Sequence, residues 1–174
     1  MEHEGRAVVF EDGADLALRI DSDDLDVTAD DILVLKNIGP KGAPGMPEAG
    51  YIPIPRKLAR AGVKDMVRIS DGRMSGTAFG TIVLHVTPEA AIGGPLAYVR
   101  NGDRIGLSVQ RREIILHVSD AELAARAQAQ PVVEPTADRG YRKLFLTSVN
   151  QADQGVDFDF LRAATQRGSL PRKD

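Results

Sequence analysis

The sequence predicts a β-rich α/β domain, a small barrel or sandwich with helices packed outside it. Three observations carry that expectation. Six short apolar runs, rich in branched residues, are each bounded by turn-forming residues. Only a few segments show helical spacing. Strand-like and helix-like segments do not alternate regularly, which argues against a doubly wound parallel sheet.

The strand-like runs are RAVVF (6–10), ILVL (32–35), MVRI (66–69), TIVLHV (81–86), IGLSV (105–109) and EIILHV (113–118). The last two flank Gln110-Arg111-Arg112 and read as a hairpin, with Asn101-Gly102-Asp103 marking a turn ahead of them. Helical spacing covers residues 13–20 and 55–62, the second with Pro55 suited to a first turn. Residues 119–129 form the clearest helix, because Ser119 and Glu122 make a capping-box pattern ahead of an alanine-rich run. A proline-bearing connector, QPVVEPTADRG (130–140), leads to a further helix over 141–152, the segment GVDFDFLR and a polar tail. Residues 1–130 are therefore assigned to the barrel with its flanking helices. Residues 131–174 are assigned to a connector, helix and tail packing on the same domain.

Composition narrows the function classes. A chain of 174 residues with 43% hydrophobic content is long enough to bury one core. Its net charge of −3 and the lack of any basic run argue against a nucleic-acid partner. It contains no cysteine, so disulfides, cysteine nucleophiles and cysteine-held metal centres within it are excluded. No apolar run approaches the roughly 20 residues that span a bilayer, and the N-terminus lacks a signal-peptide layout. The expectation is a cytoplasmic protein with no membrane partner. The abrupt opening ahead of the first strand-like run raises the expectation of a fragment of a longer protein.

Two loops carry the chemistry. NIGPKGAPGMPEAG (37–50) holds four glycines and three prolines, so its turns are sharp and fixed. It reads either as a rigid surface loop with a solvated Glu48 or as a ligand loop whose Glu48 binds a metal or a substrate cation. SDGRMSGTAFG (70–80) lies between two strand-like runs, where sites are often mounted. It has neither the spacing of a nucleotide-binding P-loop nor that of a nucleophile elbow. Its bland reading is an Asx-type turn at Asp71 with a glycine hinge at Gly76. A Ser-His-Asp triad with His3, His85 or His117 is disfavoured, since His85 and His117 lie in strand-like runs where packing roles are usual.

These residues carry a resemblance. The stretch ISDGRMSGTAFGTIVLHVTPEAAIGGPLAYVRNGDRI (69–105) resembles a signature region of the dihydroxy-acid and sugar-acid dehydratase family. NIGPKGAPGMPEAG resembles that family's other C-terminal signature, and HEGRAVVFE and QADQGVDFDF match it too. The resemblance implies a C-terminal domain of the swivelling type, a small β-barrel flanked by helices as in the small domain of aconitase-like enzymes. It also implies that a larger N-terminal domain, which holds the cluster-binding cysteines, is absent from this chain. RMSGTAFGT together with QADQGVDFDFL looks more like the pentonate (arabinonate, xylonate) members than the branched-chain dihydroxy-acid ones. One departure is Ser148, which stands where the pentonate pattern often has a histidine.

By the same resemblance the reaction is loss of water from a 2,3-dihydroxy sugar acid to give a 2-keto-3-deoxy acid. The family uses an iron–sulfur cluster on the C3 hydroxyl and Mg²⁺ on the substrate carboxylate. Ser75 matches the proposed base, acting as an alkoxide, and Gly76 matches the position that lets backbone N–H groups approach the substrate. Thr77 matches a hydroxyl position of the sugar-acid members, and Glu48 matches the one Mg²⁺ ligand supplied by this domain. Asp71 and Arg73 are expected to hold the loop. The implied partners are an aldonate or dihydroxy acid, the absent N-terminal domain and a second copy of the enzyme. This chain alone is expected to be inactive. The alternatives are a branched-chain dihydroxy-acid dehydratase, a stand-alone binding module, and the small subunit of an aconitase-type isomerase.

Overall fold

The structure, a computed structural model, describes residues 1–45, 52–76 and 79–161. Its centre is built by two strands that hold uninterrupted apolar runs, Ala7–Phe10 in the first and Ile32–Leu35 in the second. β1 spans Glu2–Phe10 and β2 spans Ile32–Leu35. Successive side chains of a strand point to opposite faces, so a continuous apolar run needs a core on each side. Both cores are present. Ala7, Val9, Ile32 and Val34 face one, with Leu96, Val99 and Ile105. Val8, Phe10, Leu33 and Leu35 face the other, with Leu16, Ile20 and Ile52.

Four further strands complete the sheet: β3 (Arg68–Ser70), β4 (Ile82–Val83), β5 (Arg104–Ser108) and β6 (Glu113–Leu116). The order is β4-β3-β2-β1-β5-β6, a six-stranded half-barrel sheet. β1 to β4 run parallel, whereas β5 and β6 form the expected antiparallel hairpin and join β1 antiparallel. The parallel half was not anticipated. Parallel neighbours need crossovers, and two of these carry the short helices α1 (Gly13–Arg19) and α2 (Arg56–Arg60). Asp12 caps α1 by accepting a bond from the Asp15 N–H, and Leu16 buries the helix against the second core.

The run TIVLHV keeps only Ile82 and Val83 as strand. His85 takes a left-handed backbone (φ 56°) that turns the chain out of the ladder. Both His85 and His117 are exposed, so neither has the packing role expected of it.

α3 (Asp120–Ala129) and α4 (Gly140–Ser148) lie outside the sheet. Ser119 Oγ accepts from the Glu122 N–H at 3.2 Å, as the capping pattern predicts. The Glu122 carboxylate turns instead to Arg126, which it meets at 2.8 Å. Arg126 docks the helix. Its guanidinium grips Asp103 at 2.6 and 3.0 Å and donates to the Tyr98 carbonyl at 2.9 Å. α4 buries Phe145 and Leu146, and Phe145 meets Phe158 edge-on at 5.6 Å between ring centres.

Burial raises the Asp103 carboxyl, but bonds from Arg126 and the Arg100 N–H outweigh it and hold the group below the usual range. A carboxyl lowered in the fold contributes stability above its ordinary value, about pH 4, and loses it as pH falls further. Asp103→Ala strands the Arg126 guanidinium in a largely buried place, with an expected loss of about 3 kcal/mol in urea unfolding at pH 7. The gap to wild type should shrink in acid.

Candidate functional site

Parallel strands present their C-terminal ends at one edge, and there the site is assembled. Phe10 pairs with Leu35, and Leu35 pairs with Ser70. The residues that follow, Glu11, Lys36 and Asp71, therefore stand in line where the three strands end. Buried Lys36 donates to Glu11 at 3.1 Å and to the Ala97 carbonyl at 3.2 Å. Asn37 then turns the chain with a left-handed backbone (φ 57°) and donates its side-chain amide to the Glu11 carbonyl.

Asp71 is 0% exposed, and its carboxylate reaches across to other loops. It accepts the backbone N–H groups of Asn37 (3.2 Å), Ile38 (3.0 Å) and Ala90 (2.9 Å). This corrects the expected local Asx turn. The Gly72 N–H is taken instead by Ser70 Oγ at 3.0 Å. Burial pushes the Asp71 carboxyl up, the three N–H bonds offset part of that, and nearby Glu89 adds to the rise.

Glu89 is the second buried acid, 1% exposed, and sequence reasoning did not single it out. Its carboxylate accepts from the Lys41 N–H (2.9 and 3.0 Å), the Gly42 N–H (2.8 Å) and the Gln151 side-chain amide (2.7 Å). Its own N–H donates to Gln151 Oε1 at 2.9 Å. A Cβ on Gly39 would stand 2.7 Å from Glu89 Oε2, so the loop can wrap this acid only with glycine there. The available signal was an acid placed in the otherwise apolar run PEAAIGG.

The far end of the 71–81 loop is tied down as well. Arg68, 1% exposed, donates to Asp65 (2.7 Å), the Phe79 carbonyl (2.9 Å) and the Ile52 carbonyl (3.2 Å). Asp65 accepts from the Thr81 N–H and hydroxyl. Gly80 (φ 110°) fits because any Cβ would lie 2.1 Å from both Arg68 and Asp65.

Between these anchors Met74 is buried in the second core, Ser75 is half-buried, and Arg73 and Gly76 are exposed. Among the described residues, chain neighbours apart, a Cβ on Gly76 would meet no atom within 4 Å, so there is open space at Gly76. Thr77 and Glu48 lie outside the described residues. Ser148 ends α4, half-buried. Among the described residues no three His, Cys, Asp or Glu side chains converge to hold a metal ion, and Asp71 and Glu89 are already engaged by N–H donors. The described part therefore does not make a complete metal site.

An acid whose pKa is raised in the fold contributes most below its ordinary value, about 4, and loses that contribution as pH rises through the raised value. Asp71→Asn places an NH₂ group against N–H donors. It should cost about 1–3 kcal/mol of stability, measured by urea unfolding. The gap to wild type is expected to narrow from pH 4 to pH 8, the opposite trend to Asp103→Ala.

Comparison with known proteins identifies the family. The family described as dihydroxy-acid/6-phosphogluconate dehydratase, C-terminal, matches residues 1–156. The chain is 53% identical over 161 residues to 6-deoxy-6-sulfo-D-gluconate dehydratase of Pseudomonas putida, covering 92% of this chain and 28% of that protein. It is 53% identical over 174 residues to L-arabinonate dehydratase of Rhizobium leguminosarum bv. trifolii, covering 99% and 29%. Dihydroxy-acid dehydratase of Streptococcus thermophilus (strain CNRZ 1066) is 37% identical over 157 residues, covering 90% and 27%. The chain thus spans less than a third of the length of these curated relatives. With its two signature loops fastened at one edge of the half-barrel and the family match running from residue 1 to 156, this chain belongs to the dihydroxy-acid/6-phosphogluconate dehydratase family, in its C-terminal part.

Proposed function

We propose that the full-length enzyme carrying this segment dehydrates sugar acids bearing 2,3-hydroxyls to 2-keto-3-deoxy acids, with Ser75 taking the C2 proton. One observation carries the reading. Half-buried Ser75 lies in a loop anchored at both ends by buried polar groups, next to Gly76, where an added Cβ would find open space. A base needs its backbone positioned and room for the substrate carbon, and an anchored loop with an open glycine next to the serine suits both needs. Identity of 53% to two sugar-acid dehydratases against 37% to a dihydroxy-acid dehydratase supports the sugar-acid class.

The bookkeeping of the reaction assigns the roles. The C2–H bond breaks, its proton goes to the Ser75 oxygen, and its electron pair forms the C2=C3 bond as the C3–O bond breaks. The departing hydroxide takes up one proton, in net terms the one removed from C2, and leaves as water; the enol then loses its C2 hydroxyl proton and gains one at C3 to become the ketone. An isolated serine hydroxyl ionises far too weakly for this near neutral pH, so the alkoxide requires cations and N–H donors around it. Open Gly76 leaves the backbone beside Ser75 free of side-chain bulk where the substrate would stand. Thr77 is proposed to orient a substrate hydroxyl, and Glu48 to be the single Mg²⁺ ligand on this chain. With no cysteine here, an iron–sulfur cluster and the other Mg²⁺ ligands belong to the remainder of the enzyme. When bound, those groups supply Lewis-acid stabilisation of the leaving hydroxyl and of the substrate carboxylate.

The test uses the full-length enzyme, purified without oxygen and supplied with Mg²⁺. L-arabinonate, 6-deoxy-6-sulfo-D-gluconate and dihydroxyisovalerate are offered, and 2-keto acid formation is followed. A sugar acid is expected to be preferred, and Ser75→Ala to lower kcat by at least about 100-fold. Preference for dihydroxyisovalerate would overturn the substrate class. Turnover of none of the three would favour a binding module.

A further inference from the structure

The segment QADQG has no part in the chemistry described above, yet it makes a specific contact with the loop framework. After α4 the chain forms a small antiparallel turn. Val149 bridges Phe158, the Asn150 N–H donates to the Asp157 carbonyl, and Phe158 packs against Phe145. This turn brings Gln151 to Glu89, 62 residues earlier in the chain. The Gln151 amide bonds the same residue twice. It donates to the Glu89 carboxylate at 2.7 Å and accepts the Glu89 N–H at 2.9 Å. A neutral primary amide can do both, and its donor stabilises the buried carboxylate.

The next residue is held from the other side, since the Ala90 N–H donates to Asp71. Asp71 opens the loop that carries Ser75, and Glu89 holds the N–H groups of Lys41 and Gly42 in the other glycine-rich loop. Glu89 and Ala90 are thus a joint between the two loops, and Gln151 fastens it.

We propose that Gln151 is a positioning residue for the dehydration, setting the two glycine-rich loops in register through Glu89 and Asp71. The proposal rests on the reading of Ser75 as the base. It predicts that removing the amide displaces the Ser75 loop without removing any group that touches the substrate.

The test uses full-length enzyme with Gln151→Ala, Gln151→Glu and Ser75→Ala, the same three acids as probes, and amide hydrogen exchange over residues 39–42. Gln151→Ala is expected to lower kcat about tenfold or more, with KM changed less than about threefold, because small misplacements of a positioned group are costly. Exchange at the Lys41 and Gly42 amides should quicken. Gln151→Glu gives a finer readout. Its protonated form can donate and accept as the amide does, whereas its ionised form loses the donor and faces Glu89. The surrounding charges are Glu89, Asp71 beyond the Ala90 N–H, Asp153 bonded to Thr87, and Lys41, whose ammonium is turned to Glu134. The kcat of Gln151→Glu relative to wild type should therefore rise as pH is lowered.

Two results would overturn the positioning role. One is Gln151→Ala with kcat within twofold of wild type while Ser75→Ala is inactive. The other is a pH-independent ratio for Gln151→Glu. If Gln151→Ala does not fold, the Gln151→Glu ratio decides. Full activity in Ser75→Ala overturns the base assignment instead. In that case, or if no probe is turned over, exchange at residues 39–42 still decides whether Gln151 sets the loop.

Discussion

Two buried carboxylates, Asp71 and Glu89, fix the arrangement of the loops around Ser75. A carboxylate taken out of water must be met by hydrogen-bond donors, or burial costs several kcal/mol. Here the donors are mostly backbone N–H groups, those of Asn37, Ile38, Lys41 and Gly42 in a loop and that of Ala90 at the start of a short 3-10 helix. The loops therefore take their shape from polar satisfaction as well as from the packing of Ile38 and Met74. Gly39 follows from this constraint, because the chain can close around Glu89 only where no Cβ intervenes.

The sheet decides where these acids stand. β1 and β2 spend every side chain from Ala7 to Phe10 and from Ile32 to Leu35 on the two cores, so polar function is displaced to the residues after them. Parallel register then lines up Glu11, Lys36 and Asp71 at one edge. The antiparallel hairpin on the other side of β1 takes no part in this edge. It closes the first core through Ile105 and Leu107 and holds the turn at Asp103 that receives Arg126.

Much of this was legible in the chain, and the failures have physical causes. ILVL coincides with β2, and Ser119 caps α3, because local apolarity and capping chemistry act over a few residues. The parallel pairing was not legible, since it depends on partners some 25 to 35 residues apart that no local pattern specifies. Asp71-Gly72 reads as a local turn, but burial beside Ile38 directs the carboxylate to distant donors. Glu89 looked unremarkable because its donors lie at positions 41, 42 and 151. The resemblance of the loops to a dehydratase site rests on two long motifs. Spacing alone slightly favours a turn.

What the fold adds to the motifs is preorganisation. The loop from 71 to 81 is held at its start by three N–H donors to Asp71 and at its end by Arg68, Asp65 and Thr81. Met74 plants its middle in the second core, one residue ahead of Ser75. Every one of those anchors belongs to this chain. A site completed by residues from elsewhere would otherwise have to order this loop when the pieces meet, at roughly 1–2 kcal/mol of backbone entropy per residue. Here, for residues 71–76 and 79–81, that ordering is done within the domain. The interactions made on completing the site can then be spent on the substrate rather than on the loop that receives it.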